Sequence, residues 1–404
     1  MTTTTTAAES AEAAVAAFSA YGARAISAID AQRAALPADL PALLPELIAR
    51  LDAQRTAAEA NAAFLGTMLS ELDLVPPAAT PADDDDALLR AVAAARGVTP
   101  EITAKALHAQ LAAQPRWASL PLSAVKRACS KAAKQPVPTA EPSGDAAVAQ
   151  QNVHAVLLQL RREWSDDGAA ERAQSFGVLL DALERALPPG GDARPRVLVL
   201  GAGLGRLVYD AASRGYEALG VEPSFFMLVP AHFCLNKLLH ASRDVTIFPF
   251  AHEAANVAEG AHLTREVRLP GAPGAQPRPP EPLPMRMAAA EWEHHCTEPQ
   301  HAGAWDAVVA CFFVDATPDL LRTLRLAHGV LKPGGLLLNL GPLLYHNSGT
   351  EVPRLAADEL VTLVGRCGFE VLESRACVAS YSQVPRSMVR SEYHCLHFVA
   401  RKLE

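Results

Sequence analysis

The sequence lacks paired cysteines and long apolar runs. Its seven cysteines are an odd number and form no Cys-x-x-Cys pair, a pattern typical of a reducing compartment rather than of a disulfide scaffold. No uncharged apolar run reaches the roughly 18 residues that a membrane-spanning helix requires. The first residues, MTTTTTAAESAEAA, carry neither the basic nor the apolar region of a secretory signal. We therefore expect a cytoplasmic or nuclear protein with no membrane partner.

An excess of positive charge is also missing. The 36 Lys and Arg residues stand against 44 Asp and Glu, a net charge of −8. Proteins that coat nucleic acid need dense Lys and Arg to displace counterions, so we expect no nucleic-acid partner. Hydrophobic residues make up 50% of the 404 residues, which is ample for a folded core in two or three structural units.

The N-terminal part of the chain has a helical period. From about Ala11 to Lys134 it is dominated by Ala, Leu, Arg, Glu and Gln, and apolar residues recur at spacings of three and four. This predicts an all-helical N-terminal domain over residues 10–134, after a disordered tail at 1–9. The Pro-, Ser- and Gly-containing segment 135–146 is predicted to be a linker. The helices could cover a binding cleft or build a homodimer interface.

Residues 147–404 alternate between short apolar runs and helical patterns. Arg196–Leu200 is typical of a strand buried on both faces of a parallel sheet, and further strands are predicted at Glu217–Val221 and Val245–Phe248. The alternation continues to the C-terminus and predicts a doubly wound, Rossmann-like α/β sheet. Segment 266–284 is so rich in proline that we expect an exposed insertion outside the core.

A glycine-rich loop follows the first strand. Gly201, Gly203 and Gly205 allow close approach of a ligand to the backbone. Their G-x-G-x-G spacing differs from the G-x-G-x-x-G of most dinucleotide folds and favours S-adenosylmethionine as the cofactor. Glu222 ends the next strand, where a carboxylate can accept both ribose hydroxyls; an ordinary turn with a surface acid is the alternative. Glu291–Trp292 offers an acceptor and an indole ring for adenine.

Two polar side chains follow later strands. Asp315 ends the apolar run WDAVVACFFVD, and His346 ends NLGPLLYH on the next strand. Ligands of open α/β sheets bind at the carboxyl ends of the strands, so these two side chains can converge on one substrate. The alternative is that Asp315 caps the helix that starts near Pro318 and that His346 is a loop histidine.

Several segments together resemble the carnosine N-methyltransferase family, also called N2227-like. They are QLRREWSDDGAAER at 159–172, GAGLGRL at 201–207, the acid and SFFML at 222–228, CFFVD at 311–315, LKPGG at 331–335, NLGPLLYH at 339–346 and EYHCLHFVARK at 392–402, and the likeness extends to ALPADLPALLPELIARLDAQR at 35–55. The resemblance implies a class I S-adenosylmethionine-dependent methyltransferase fold. It also implies methylation of the near (pros) imidazole nitrogen of carnosine, or of a related histidine dipeptide, to give anserine.

The resemblance assigns roles to individual residues. Gln159 and Arg162 match positions that reach over the cofactor, towards its methionine carboxylate. The other cofactor positions that the family pattern implies are Gly201, Glu222, Glu291, Trp292 and Cys311. Asp315, His346 and Tyr393 match substrate-binding positions, and Tyr381 matches a further aromatic. The family pattern has Asp-Phe at Glu291–Trp292 and an aromatic residue at Ser391.

Imidazole chemistry indicates what such a site must do. Neutral imidazole already has an unprotonated nitrogen near pH 7, so no strong base is needed to create the nucleophile. Asp315 would accept the N–H of the distal nitrogen, which selects the tautomer and stabilises the positive charge that grows on the ring.

Other interpretations stay open at this stage. The substrate could be a histidine in a larger peptide or protein, or the chain could be a non-catalytic S-adenosylmethionine-binding interaction protein. A nicotinamide-dependent dehydrogenase fits the glycine spacing poorly. Glu293–Cys296, read as EHHC, looks like a metal cluster, but adjacent loop residues rarely supply a complete ligand set, so we predict no metal.

Overall fold

A computed structural model describes residues 10–74, 88, 92, 103–112, 121–132, 144–190, 193–241, 244–253, 255–271, 282–345 and 353–404. Four predicted features lie wholly or mostly outside these residues. They are the tail at 1–9, most of the linker 135–146, most of the insertion 266–284, and His346.

The described N-terminal residues are helical, as predicted. The helices are α1 (Ala11–Ala34), α2 (Leu40–Leu43), α3 (Pro45–Glu71), α4 (Ala104–Ala112) and α5 (Leu122–Ala132). Ser10 caps α1, because its Oγ accepts a hydrogen bond from the Ala13 N–H at 3.1 Å. Pro45 starts α3, where its missing N–H costs no helical hydrogen bond.

A long helix leads into the α/β part of the chain. It is α6 (Gly144–Trp164), and it is followed by a 3-10 turn (Asp166–Gly168), α7 (Ala169–Arg172), a π turn (Ala173–Gly177) and α8 (Val178–Ala186). The chain reverses tightly after α6, since a Cβ on Gly168 would lie 2.0 Å from the Arg162 carbonyl oxygen. Glycine is required there for lack of space.

The strands and remaining helices follow the predicted alternation. The strands are β1 (Arg196–Leu200), β2 (Glu217–Glu222), β3 (Val245–Ile247), β4 (Val267–Leu269), β5 (Met285–Ala289), β6 (Trp305–Cys311), β7 (Leu331–Gly341), β8 (Phe369–Ala379) and β9 (Tyr393–Lys402). The helices are α9 (Arg206–Ser213), α10 (Phe225–Asn236), α11 (Trp292–Thr297), α12 (Leu320–Val330) and α13 (Ala357–Arg366).

Seven of these strands form one mostly parallel sheet. Their order is β5-β2-β1-β6-β7-β9-β8. β5, β2, β1, β6 and β7 pair in parallel, whereas β9 runs antiparallel to both β7 and β8. The predicted Rossmann-like α/β class is confirmed. The strand order changes direction at β1, since β2 and β5 lie on one side of it and β6 and β7 on the other. The carboxyl ends of β1, β2 and β6 therefore form the crevice in which ligands of such sheets bind.

In the segment between β2 and β5, the strand predicted at 245–248 is present as β3, whereas the expectation that all of 266–284 is exposed is wrong at β4. β3 does not join the main sheet but pairs antiparallel with β4. β4 lies inside the segment 266–284 that we expected to be an exposed insertion, and its Val267 and Leu269 are buried. The alternation Val-Arg-Leu is a normal half-buried strand, and the dense prolines that follow it masked that signal.

The hydrophobic core crosses the predicted boundary between the two domains. Phe18 of α1 and Leu65 of α3 share one buried cluster with Leu157 of α6 and Phe226 of α10. Helices α4 and α5 instead pack around a small cluster of their own, which includes Leu107 and Val125. The division between 10–134 and 147–404 stays a prediction. Among the described helices, none is both long and apolar enough to cross a membrane.

Candidate functional site

The glycine loop joins β1 to α9 at the carboxyl edge of the sheet. Gly201, Gly203 and Gly205 have φ angles of 61°, 54° and 78°, a region that favours glycine. The Gly203 N–H donates to Glu222 Oε2 at 2.9 Å, and the Ser224 N–H donates to Glu222 Oε1 at 3.0 Å. The acid at the end of β2 therefore faces the glycine loop, as the sequence pattern predicts.

Glu222 is 7% exposed. Burial raises its pKa, the hydrogen bonds from Ser224 and Gly203 act in the opposite direction, and the nearby charge of Glu291 adds to the rise. Each carboxylate oxygen can accept more than one hydrogen bond, so both oxygens keep acceptor capacity for a ligand.

A cavity of about 290 Å³ opens beside the glycine loop. It brings together seven of the predicted site residues: Gln159, Arg162, Gly201, Gly203, Glu222, Cys311 and Tyr381. It is also lined by Glu163, Phe176 and Phe312, for which the sequence analysis assigned no role. The cavity thus joins the end of α6 to the carboxyl ends of β1, β2 and β6.

Arg162 is held firmly at the wall of this cavity. Its guanidinium lies between the rings of Phe176 and Tyr381, with its carbon 4.8 Å and 4.5 Å from the two ring centroids. Its Nη2 donates to Ser175 Oγ at 3.4 Å. Stacking and hydrogen bonding leave the cation few rotamers, which suits the recognition of an anionic group.

Polar atoms in the cavity remain available for a ligand. Gln159 Nε2 donates to the Tyr381 hydroxyl, but Gln159 Oε1 and Arg162 Nε are buried with no hydrogen-bond partner among the described residues. Buried polar groups of this kind are normally satisfied. A bound molecule with its own polar groups would satisfy them.

Glu163 is the main cavity residue that the sequence analysis missed. It is 4% exposed, and its Oε2 accepts a hydrogen bond from the Arg206 N–H at 3.3 Å. Burial raises the pKa of Glu163 to about 7, although the nearby Arg162 lowers it. The signal was present as the acid directly after Arg162, but a helical period does not say which face of α6 meets the sheet.

Asp315 does not line the cavity but lies in a 3-10 turn after β6, three residues beyond the cavity residue Phe312. It is 2% exposed, and its Oδ2 accepts a hydrogen bond from the Leu344 N–H at 2.8 Å. It does not cap α12, because Asp319 does so through a hydrogen bond from the Arg322 N–H at 2.9 Å. The alternative interpretation of Asp315 as a helix cap is therefore wrong.

Phe312 connects the cavity to the predicted substrate residues. Its ring centroid lies 4.8 Å from that of Tyr381 and 5.9 Å from that of Tyr393. Its φ of 53° is unusual for a residue with a side chain. Gly341 accommodates this backbone, since a Cβ there would lie 3.1 Å from the Phe312 Cα. Tyr381 therefore lines the cavity, whereas Tyr393 does not line it and contacts the cavity residue Phe312.

The remaining residues predicted to bind the cofactor are Glu291, Trp292, Gly205 and Cys311. Glu291 precedes α11 at the end of β5, and Trp292 is 5% exposed with its ring edge-on to Phe313 at 6.1 Å. Neither lines the cavity. Gly205 starts α9 against Leu235. Burial raises the pKa of Cys311 to about 12, so its thiol is protonated at neutral pH and is not a nucleophile.

One group with metal-ligand atoms occurs near the EHHC segment. His295, Glu298 and His301 bring a ligand atom each within 4.8 Å of the others. The His295 and His301 rings lie 4.1 Å apart and are tilted by only 32°. The two rings thus pack closely against each other, in a group whose ligand atoms could hold a metal ion. The expectation that the protein holds no metal stays a prediction.

Comparisons with known proteins identify a family for this chain. The model of a family described as carnosine N-methyltransferase matches residues 141–404. The carnosine N-methyltransferase of Dictyostelium discoideum is 32% identical over 60% of this chain and 53% of its own length. The enzyme of that name from Mus musculus is 31% identical over 61% of this chain and 62% of its own length. The match thus spans between about half and just under two thirds of the length of these relatives.

A comparison with solved structures also gives matches. One of them is Burkholderia thailandensis 1,6-didemethyltoxoflavin-N1-methyltransferase with bound S-adenosylhomocysteine, which is 17% identical over 67% of this chain and 94% of its own, with a TM-score of 0.34. A score this low carries no argument about function.

Proposed function

The chain belongs to the carnosine N-methyltransferase family, and from this premise we propose that it is an S-adenosylmethionine-dependent imidazole N-methyltransferase. Its proposed substrate is carnosine or a related histidine dipeptide, methylated on the near (pros) nitrogen to give anserine. The observation that carries the proposal is the cavity of about 290 Å³ between the glycine loop and α6. Its carboxylate, guanidinium and unpaired amide oxygen match the polar groups of this cofactor.

The residues present fit the cofactor. Glu222 would accept the ribose hydroxyls, and Arg162 with Gln159 would hold the methionine carboxylate through a charge-assisted contact. The buried Gln159 Oε1, which has no hydrogen-bond partner among the described residues, supports this assignment. When bound, S-adenosylmethionine supplies an electrophilic methyl group on a sulfonium centre.

Asp315 would select the reacting nitrogen. The Leu344 N–H fixes Asp315 Oδ2, and we propose that Oδ1 accepts the N–H of the distal imidazole nitrogen. This contact holds the ring in the tautomer whose lone pair lies on the near nitrogen. It also stabilises the positive charge that develops on the ring, and the interaction is strong because Asp315 is only 2% exposed to solvent.

The aromatic side chains would position the substrate. Phe312 and Tyr393 meet edge to face with ring centroids 5.9 Å apart and form one wall, on which we propose that the imidazole packs. His346, in the same NLGPLLYH segment as Leu344, would bind the rest of the dipeptide. Neutral imidazole needs no general base, so positioning supplies most of the rate.

The experiment that tests the proposal is transfer of labelled methyl from S-adenosylmethionine to carnosine, with the ring position of the product assigned by NMR. Free histidine and a histidine-containing peptide should be poorer acceptors. Methylation of the peptide alone would move the substrate to peptide or protein histidines. Cofactor binding without any methyl transfer would favour a non-catalytic binding protein.

We also propose a cellular compartment and binding partners for the protein. Seven free cysteines support a reducing compartment, such as the cytoplasm or nucleus. We propose a small molecule as the partner. A homodimer through the N-terminal helices stays a prediction.

A further inference from the structure

We infer that the carboxylate of Glu163 is the anionic contact for the α-ammonium group in the methionine part of the cofactor. This inference rests on the proposed function. It adds to the site a positioning and recognition residue that neither the family resemblance nor the comparisons assign.

The position of Glu163 on α6 is the first support. Gln159, Arg162 and Glu163 stand at i, i+3 and i+4, which places them on one face of the helix. All three line the cavity. Glu163 Oε1 is close to the glycine loop, because a Cβ on Gly203 would lie 3.0 Å from it. The carboxylate is therefore beside the loop and adjacent to the proposed carboxylate-binding Arg162.

The charges in the cavity are the second support. A free amino-acid group carries one anion and one cation, so a site that recognises it needs both signs. Arg162 supplies the positive charge. Among the residues that line the cavity, Glu163 and Glu222 are the two acids, and both oxygens of Glu222 accept backbone N–H groups at the ribose end. The last residues of β1, Val199 and Leu200, are apolar and offer no anion.

The burial of Glu163 is the third support. A buried carboxylate is destabilising unless partners compensate for the lost water. Its partners are the backbone N–H groups of Arg206, at 3.3 Å, and Leu204, and the nearest cation is Arg162, whose Nη1 lies 3.7 Å from Oε1. An apolar residue would fill this space at lower cost. A cationic ligand group would give the carboxylate a direct charged partner in addition to these backbone groups, and burial makes such a contact strong.

The competing explanation is that Glu163 only holds the start of α9 through the Arg206 N–H. Three ligands separate the two explanations, with binding measured by calorimetry. S-adenosylhomocysteine has the whole amino-acid part, its analogue without the α-amino group lacks only the cation, and 5′-methylthioadenosine lacks the amino-acid part altogether. Glu163→Gln keeps the shape and an acceptor oxygen for Arg206, and Glu222→Gln serves as the matched control at the ribose end.

We expect wild-type protein to bind S-adenosylhomocysteine about 10–100-fold more tightly than the analogue without the amino group, the usual worth of a charge-assisted contact. Glu163→Gln should lose this preference and keep wild-type affinity for 5′-methylthioadenosine. Glu222→Gln should weaken all three ligands. Circular dichroism and thermal unfolding confirm that each variant is folded.

Two results would overturn the inference. One is a wild-type protein that binds S-adenosylhomocysteine and its deaminated analogue equally, which requires no variant to fold. The other is a Glu163→Gln protein that loses affinity for 5′-methylthioadenosine as much as for S-adenosylhomocysteine, the signature of a purely structural role. If wild-type protein bound none of these nucleosides, the proposed function itself would fail, and the inference with it.

Discussion

The carboxylate of Asp315 accepts a hydrogen bond from the Leu344 backbone N–H at 2.8 Å. This bond ties the turn after β6 to the segment after β7, the segment that leads to His346. Asp315 therefore has a structural partner and a proposed chemical one. A substitution at this position must separate the two roles before it can inform on the mechanism.

Asp315→Asn makes that separation. An asparagine oxygen can still accept the Leu344 N–H, but the charge that would stabilise a positive imidazole is gone. We expect turnover on carnosine to fall about 10²–10⁴-fold, with cofactor affinity nearly unchanged. Asp319→Asn is the control, because it removes the same charge at the exposed cap of α12. Undiminished turnover in Asp315→Asn would remove Asp315 from the mechanism.

A second prediction concerns the space around Gly201 in the glycine loop. A Cβ on Gly201 would lie 2.4 Å from the Phe313 ring carbon Cδ2, at a φ of 61°. We expect Gly201→Ala to displace the loop or Phe313 and to weaken S-adenosylhomocysteine binding by at least about tenfold, measured by calorimetry. The reason is steric overlap added to a backbone cost of roughly 1–2 kcal/mol.

Gly303→Ala is a matched control for that variant. Gly303 has a φ of 58°, and a Cβ there meets nothing within 4 Å among the described residues. It should therefore show the backbone cost in thermal unfolding without any loss of cofactor affinity. Equal affinities in the two variants would mean that space at Gly201 does not matter for binding.

The raised pKa of Glu163 predicts a pH dependence. Its pKa is about 7 because burial disfavours the charged form, whereas the cofactor contact requires the ionised carboxylate. Affinity for S-adenosylhomocysteine should therefore rise as pH increases from 5.5 to about 7, where about half of the Glu163 carboxylate is ionised. The ligand's α-amino group stays mostly protonated over this range, since such groups titrate near 7.7–8.0.

Other charged and titratable groups lie around Glu163. They are Arg162 on α6, Arg172 on α7, Arg206 on α9, Glu222 on β2, Cys234 on α10, Cys311 on β6 and Tyr381 after β8. Burial also raises the pKa of Glu222 above its ordinary value. The pH profile of 5′-methylthioadenosine binding therefore serves as the reference. A Glu163→Gln protein with the same profile as wild type would contradict the prediction.

The raised pKa also affects stability. Between the ordinary carboxyl pKa and about 7, native Glu163 binds a proton that the unfolded chain has released. Its contribution to the free energy of unfolding therefore falls as pH rises through this window and is constant above it. The sign is opposite to that of a carboxylate whose pKa is lowered by a salt bridge.

Local signals in the sequence predicted much of the α/β part. Strand β1, the glycine loop and Glu222 all lie within the short stretch 196–222, so short-range rules place them correctly. The sequence did not predict a role for Glu163, because only the packing of α6 in the folded protein decides which of its polar residues line the cavity. The sequence did not predict the position of Phe312 for a different reason. Its backbone, with a positive φ, lies close to Gly341 of β7, a contact between residues that are distant in the chain.

The N-terminal helices show the same limit and lead to a final prediction. Composition indicated helices but not that α1 packs its Phe18 edge-on against Phe226 of α10, with ring centroids 5.7 Å apart. Phe18 is 1% exposed, so Phe18→Ala should lower the free energy of unfolding by about 3–5 kcal/mol and weaken cofactor binding, since α10 starts just after Glu222. Leu107→Ala, in the separate cluster of α4 and α5, should leave cofactor affinity unchanged. Denaturant unfolding and calorimetry measure both effects, and an unaltered unfolding midpoint in Phe18→Ala would show that α1 is dispensable to the core.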